Sequence, residues 1–341
     1  MSNGARVGIR DVAAAAGVSV TTVSHALNEA GQLSQETRDR VKRIAGELRY
    51  SPNRLASGLR SQRSQIIGFV GDEISTTPYA GRVILGAQEA AAERGCVLMI
   101  VNSATDPGLE ELEINALLQH QADGIIYARM YHQNLRVPAV LRGTPTVLLD
   151  AESGDLDLSS VVPDEVGAAR TAVTHLIEAG HRRIGYLANV DDIPASIGRL
   201  AGYRQTLLDH GIQIDESLIA TGDATTSGGR AVASELLNRS DRPTALFCFN
   251  DRMGMGAYQA ASLAGIRIPD DLSIVSVDNF ELVADALLPG LTSVELPHYE
   301  MGRWAIERLL AELDAPDPLT PDHVQMYCPL IERGSVAPPP R

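Results

Sequence analysis

Val12-Ala13-Ala14-Ala15-Ala16-Gly17-Val18-Ser19-Val20-Thr21-Thr22-Val23-Ser24-His25-Ala26-Leu27-Asn28 decides how the first part of this chain folds. Val12, Ala13 and Ala16 give a short helix one apolar face, Gly17 suits a sharp turn with positive φ, and Ser19 stands where it caps a second helix. In that second helix Val23, Ala26 and Leu27 face inward, whereas Val20, Thr21, Thr22 and His25 lie at its start and on its other face. Two short helices joined by a tight turn, the second with its polar side chains outward, form a helix-turn-helix signature. In such a unit the second helix meets base edges in the major groove. The alternative is an alanine-rich hairpin that only packs, since short motifs also arise by chance.

The following residues extend the first reading. Ser34 caps a third helix with Val41, Ile44, Ala45 and Leu48 at core spacing and Arg38, Arg40, Lys42, Arg43 and Arg49 over the remaining surface. Three helices can then close one small core. In Ser51-Pro52-Asn53-Arg54-Leu55-Ala56-Ser57-Gly58-Leu59-Arg60-Ser61, Pro52 suits a helix start, but Gly58 and the short length leave a helix that forms only with support.

Charge divides the chain in the same place. Residues 1–63 hold ten Lys or Arg against five Asp or Glu, and residues 64–341 hold nineteen against thirty-eight, which together make the net charge of −14. A basic head can neutralise phosphates while an acidic body repels them, so DNA contact is expected at the head alone and should weaken steeply with salt.

Residues 65–341 are apolar enough for two α/β lobes with buried cores. Strands are expected at Ile66 to Val70, Val97 to Val101, Gly124 to Tyr127, Thr146 to Leu149, Ile184 to Ala188, Ala245 to Phe249 and Ser273 to Val277. Between them helices are expected at Arg82 to Arg94, Leu109 to His120, Glu165 to Ala179, Leu200 to His210, Gly228 to Asn238 and Arg252 to Ala264. Such alternation implies parallel sheets covered on both faces, with the chain crossing between lobes near Ser160 and near Leu288 to Ser293. A ligand would then sit at the carboxyl ends of the strands, where loops of the two lobes converge.

Other classes find little support. No apolar run has the length of a membrane span, no secretory signal opens the chain, and Cys96, Cys248 and Cys328 are too isolated for disulfide or zinc spacing, so a cytoplasmic protein with reduced thiols is expected. His120, His132, His175, His181, His210 and His298 are scattered, and there is no nucleophile elbow or phosphate loop. Gly68-Phe69-Val70-Gly71 lacks the third glycine and acidic partner of a dinucleotide site, so neither an enzyme nor a cofactor is expected.

Four longer motifs join the helix-turn-helix: Gly180-His181-Arg182-Arg183-Ile184-Gly185-Tyr186-Leu187, Arg199-Leu200-Ala201-Gly202-Tyr203, Asn250-Asp251-Arg252-Met253-Gly254-Met255-Gly256-Ala257 and Gly265-Ile266-Arg267-Ile268-Pro269-Asp270-Asp271-Leu272-Ser273. On these the chain resembles the lactose repressor/galactose repressor family of transcription regulators from Ile9 to about Val336. The resemblance implies an N-terminal all-α helix-turn-helix domain over 1–51, a hinge helix and linker over 52–64, a bilobed periplasmic-binding-protein-like α/β domain over 65–336 with two doubly wound parallel sheets, and a tail over 337–341. Lobe 1 would take about 65–160 and 292–326, and lobe 2 about 161–290 and 327–336.

What the resemblance implies for function is a homodimer on a palindromic double-stranded operator, controlled by a small-molecule effector of the carbohydrate class between the lobes. Val20, Thr21, Thr22 and His25 would read bases, and Ser19, Ser24, Asn28, Asn53, Arg54 and Arg60 would hold the backbone. Leu55, Ala56 and Leu59 would form the hinge, with Leu59 as an apolar wedge in the minor groove. Tyr79, Asp164, Arg199, Asn250 and Asp278 would hold the effector, whose hydroxyls suit Asn, Asp and forked Arg groups.

The chain departs from the family at Tyr79-Ala80, where paired aromatics are common, at Gly222-Asp223-Ala224, where an aromatic is common, and at Pro163, where an Asp is common and Asp164 stands next to it. Losing two stacking surfaces argues against a flat purine, and Tyr127, Arg129, Met130 and Tyr131 stand where they can refill the cleft. The tail from Leu330 to Arg341 carries no leucine heptad, which favours a dimer over a tetramer. Control by a protein partner and a solute-binding role remain as alternatives.

Overall fold

A computed structural model describes residues 7–27, 30–48, 50, 63–74, 77 and 79–340. The chain divides into two units, residues 1–65 and 66–341.

The first unit holds α1 (Ile9–Ala16), α2 (Val20–Leu27) and α3 (Gln35–Glu47). Gly17, at φ +64°, turns the chain out of α1, and the Val18 amide then reaches back to the Ala13 carbonyl at 3.1 Å. Val12, Ala13, Ala16, Val23, Ala26, Val41 and Ala45 are buried together. All of these side chains are alanine or valine, so the helices lie close but bury little apolar area. Arg38 of α3 joins the elements by donating to the carbonyls of His25, Ala30 and Gly31 at 3.3, 3.2 and 2.8 Å.

The second unit contains two six-stranded sheets. The first orders its strands β11 (His323–Met326), β5 (Ser160–Pro163), β4 (Thr146–Ser153), β3 (Gly124–Leu135), β1 (Ile66–Gly71) and β2 (Val97–Asn102), all parallel. The second orders β12 (Leu330–Ile331), β10 (Thr292–Glu295), β9 (Ser273–Asp278), β8 (Ala245–Cys248), β6 (Ile184–Asn189) and β7 (Ile219–Gly222), with β12 alone antiparallel to its neighbour. Alternate residues of β1 and β3 enter opposite cores: Ile67, Phe69, Ile126 and Ala128 pack in one, Val70, Ile125 and Tyr127 in the other.

Helices α4 (Ala80–Glu93), α5 (Pro107–Gln119), α6 (Glu165–Glu178), α7 (Pro194–Asp209), α8 (Thr226–Leu237) and α9 (Asp251–Leu263) correspond to the six expected from the sequence. Polar caps set several of their starts: Asp106, Asp164, Thr225 and Asn250 each accept a backbone amide of the first turn. The short α10 (Glu281–Ala284) and the long α11 (His298–Asp314) were not among the expected helices.

Four boundaries differ from expectation. Helix α7 begins at Pro194 and not near Leu200, because Gly198, a poor helix former in isolation, lies where a Cβ would meet Glu165 Cβ at 2.7 Å. Strands β5 and β10 belong to the first and second sheets, so the chain changes lobes just after Pro163 and after Glu295, a few residues later than the periodicity indicated. Strand β3 continues past Tyr127 through a register shift between Ala128 and Gln133.

Candidate functional site

The first candidate surface is the start of α2. Ser19 caps it, with its Oγ accepting the Thr22 amide at 3.1 Å and lying 2.9 Å from the Thr22 hydroxyl. Val20 and Thr21 are exposed, whereas Thr22, Ser24 and His25 are half-buried. His25 packs on Gly31, at φ +66°, where a Cβ would meet the imidazole Nδ1 at 2.5 Å. Val20 and Thr21 are therefore the most open side chains at the start of α2, and the His25 ring is braced against Gly31. Asn28, Asn53, Arg54, Leu55, Ala56, Leu59 and Arg60 lie outside the described residues.

The second is a cavity of about 340 Å³ between the two sheets of the second unit. It lies at the carboxyl ends of the strands, where an open α/β sheet leaves room for a ligand. The irregular stretch of β3 delivers Met130, Tyr131 and His132; β4 delivers Asp150; β6 delivers Asn189; the ends of β8 and β9 deliver Phe249, Asn250 and Asp278. His298, at the start of α11, closes one wall.

Several of these groups already hold one another. Arg199 is buried, with Nε donating to Glu165 Oε2 at 2.7 Å, Nη1 donating to the Phe249 carbonyl at 2.5 Å and its guanidinium 4.5 Å from the centre of the Phe249 ring. Asn250 accepts the Met253 amide at 2.8 Å and donates to the Ala224 carbonyl at 3.2 Å. Tyr79 donates to Asp278 Oδ2 at 2.7 Å. Behind Asn250, Asp251 fixes the floor by accepting the Ser293 hydroxyl and the Phe280 amide, each at 2.6 Å, and the Ser276 hydroxyl.

Three lining atoms have no hydrogen-bond partner among the described residues: His132 Nδ1, Asp150 Oδ1 and Asn189 Oδ1. All three residues are more than nine-tenths buried, and Glu165 Oε1 stays 3.9 Å from His132 Nδ1, too far for a hydrogen bond. Buried polar atoms left unpaired are costly, and a polar ligand would satisfy them. Asp150 adopts φ +53°, a rare conformation for a residue with a Cβ, inside the site.

Burial dominates the titration of the wall. It pushes Asp278 up to about 7 against the pull of Arg199, with Asp251 adding to the rise, and it holds Asp150 well above the usual carboxylate range, helped by Glu165. Burial also lowers His298 to about 4, with Arg199 and Arg82 assisting. His298 is therefore neutral at physiological pH.

Of the residues that the resemblance assigns to the effector, Tyr79, Arg199, Asn250 and Asp278 line the cavity. Asp164 needs correction: it is not among the lining side chains, because its carboxylate caps α6 on the Gly167 amide at 2.8 Å, and the next residue, Glu165, faces the cavity. Of the four residues proposed to refill the cleft, Met130 and Tyr131 line it. Arg129 instead donates to Glu110 Oε1 at 3.1 Å, and Tyr127 donates to Glu110 Oε2 at 2.9 Å, away from the cavity. His132, Asp150, Asn189 and His298 were not named as ligand-binding. For Asp150 and Asn189 a signal existed, since each follows directly on an apolar strand core.

Comparison with known proteins follows the same division. Residues 8–53 match the family described as bacterial regulatory proteins, lacI family, and residues 173–336 match a periplasmic binding protein-like domain. The HTH-type transcriptional regulator DegA of Bacillus subtilis (strain 168) is 36% identical over 298 residues, which covers 86% of this chain and 88% of that protein. The structure of the transcriptional regulator CelR–cellobiose complex is similar with a TM-score of 0.70 and 32% identity, covering 97% of this chain and 100% of that one. The lac repressor dimer bound to operator and the anti-inducer ONPF gives a TM-score of 0.78 at 26% identity, covering 97% and 99%.

Proposed function

Because the chain belongs to the lacI family of bacterial regulatory proteins, we propose that it is a transcriptional repressor that binds a palindromic operator as a homodimer and answers to a carbohydrate-class effector in its cavity. The observation that carries this reading is the presence in one chain of a helix-turn-helix with an exposed recognition-helix start and a cavity with three polar atoms that have no partner among the described residues. Operator in the lac repressor dimer structure and cellobiose in the CelR structure occupy proteins that match this one along nearly its whole length, which supports both halves of the proposal.

Val20, Thr21, Thr22 and His25 would read each half-site, with Ser19 and Ser24 toward the backbone. Asn28, Asn53, Arg54 and Arg60 would add backbone contacts, and Leu55, Ala56 and Leu59 the hinge and wedge. Homodimerisation is supported by the edge strand β2, where Val97 and Ile100 remain 41% and 42% exposed, with Leu85 and Leu112 also exposed on the helices beside it. An effector bound between the sheets can shift the balance of two states only through unequal affinity for them.

Operator selection with the purified protein, followed by anisotropy titration of the selected duplex, tests the proposal. A palindrome whose affinity changes with an added sugar supports it. A folded protein that selects no palindrome refutes it.

A further inference from the structure

We propose that His132 and Glu165 form a latch between the two lobes, which closes when the imidazole takes up a second proton. The latch acts in the protein alone, and only its bearing on operator binding rests on the repressor reading.

The two residues come from different lobes. His132 lies in the irregular stretch of β3, on the first sheet, and Glu165 opens α6, whose Ala168, Ala172 and Leu176 pack in the core of the second. Both residues are more than nine-tenths buried. Tyr79 and Asp278 already join the lobes at 2.7 Å, whereas His132 Nδ1 and Glu165 Oε1 stop 3.9 Å apart. Arg199 holds Glu165 in place by donating to its other oxygen at 2.7 Å, and His132 Nε2 lies 3.3 Å from Glu152 Oε2 of its own lobe. The imidazole thus stands between two carboxylates, one from each lobe.

An ionised carboxylate only accepts, and a neutral imidazole has one N–H. Either tautomer therefore serves Glu152 or Glu165 and turns a bare nitrogen lone pair on the other. The imidazolium has two N–H donors and serves both. A charge-assisted N–H···O bond spans roughly 2.7–2.9 Å, so the second proton draws Glu165 about 1 Å nearer and brings α6 and its lobe with it. Among the described residues, carboxylates prevail around this stretch of β3: Asp72 follows β1, Asp150 and Glu152 belong to β4, and Glu165 opens α6. The cations there are already engaged, Arg199 of α7 by Glu165 and Arg129 of β3 by Glu110 at 3.1 Å. His298 of α11, lowered to about 4 by burial, is neutral.

The test uses the full-length protein without DNA or effector, spin-labelled at Thr105→Cys and Asp192→Cys, exposed positions after β2 and β6 on opposite lobes. Cys96→Ser leaves only the buried Cys248 and Cys328 as native thiols. The label separation, read by double electron–electron resonance, is expected to shorten by roughly 1 Å or more between about pH 8 and about pH 5. His132→Gln cannot ionise and should lose the shift. Glu152 is partly exposed, so Glu152→Gln spares the fold, and its amide can donate to Nε2; the neutral imidazole is then free to donate from Nδ1, and this variant should be closed already at pH 8. A separation that ignores pH in the labelled parent, an equal shift in either variant, or a Glu152→Gln protein that stays open at pH 8 would overturn the proposal. Since neither DNA nor effector enters the measurement, its outcome is separate from that of operator selection.

Discussion

Tyr79 Oη donates to Asp278 Oδ2 at 2.7 Å and so ties the start of α4, on the first sheet, to the end of β9, on the second. It is a direct bond between the two lobes at the edge of the cavity. Tyr79→Phe would leave the buried Asp278 carboxyl without that donor, which should cost roughly 1–3 kcal/mol and lower the melting temperature measurably. An unchanged melting temperature would mean that water replaces the phenol without loss.

Asp278 also sets a pH dependence. Its folded value of about 7 exceeds its ordinary 3.8, so between those two limits the folded protein holds a proton that the unfolded chain releases. Stability from this group therefore falls as pH rises through the window. Asp278→Asn removes the ionisation but keeps an acceptor for Tyr79. The stability of the variant relative to the wild type should increase between about pH 4 and about pH 8. Parallel melting curves across that range would show that the carboxyl titrates normally.

At the DNA-reading surface, exposed Thr21 is the residue whose loss should be felt by the operator and not by the fold. Thr21→Ala is expected to weaken the selected operator roughly tenfold, with no change in melting temperature. Gly31→Ala acts differently: it forces a Cβ against the His25 ring in a conformation at φ +66°, so both the fold and operator affinity should suffer. Equal operator affinity of Thr21→Ala and wild type would remove Thr21 from the reading set.

Much of this architecture was legible in the sequence, for identifiable reasons. Strands buried on both faces, such as Ile66-Ile67-Gly68-Phe69-Val70, announce themselves as apolar runs, and helices capped by Asp106 or Asn250 carry their start signals locally. The missed parts depend on partners distant in sequence. Strand β12 has two residues and exists only through its pairing with Ser293 and Val294. His298 follows Pro297 without a cap side chain, and α11 has its packing defined by α4. The cavity residue His132 likewise owes its placement to a register shift in β3, which leaves no periodic trace.

That distant packing makes its own prediction. A Cβ at Gly86 would lie 2.0 Å from the Tyr299 carbonyl oxygen, and one at Gly302 would lie 2.1 Å from that of Val83, so α4 and α11 approach through their glycines from both sides. Since the obstruction is backbone, no rotamer relieves it. Gly302→Ala should destabilise the second unit by roughly 1–3 kcal/mol or more, although alanine is the better helix former by about 1 kcal/mol. A rise in melting temperature would show that the two helices can separate at no cost.

The carboxyl-terminal segment is held by a buried histidine. His181 is buried with Nε2 at 2.9 Å from the Ala337 carbonyl oxygen; a carbonyl only accepts, so Nε2 carries a proton, and Nδ1 lies 2.9 Å from Thr244 Oγ1. Ala337 returns its amide to Ser273 Oγ at 3.0 Å. Burial lowers the His181 value below its ordinary 6.5, with the Ala337 carbonyl opposing in part. The stability it contributes is thus complete above 6.5 and is lost as pH falls below it, because the unfolded chain takes up the proton first. His298 adds a loss of the same sign between 6.5 and about 4. His181→Asn can still donate to Ala337 but cannot ionise, so its melting temperature should fall less than that of the wild type between about pH 7 and about pH 5. Identical falls in the two proteins would mean that His181 titrates alike in the folded and unfolded states, so that its burial has no effect on its proton.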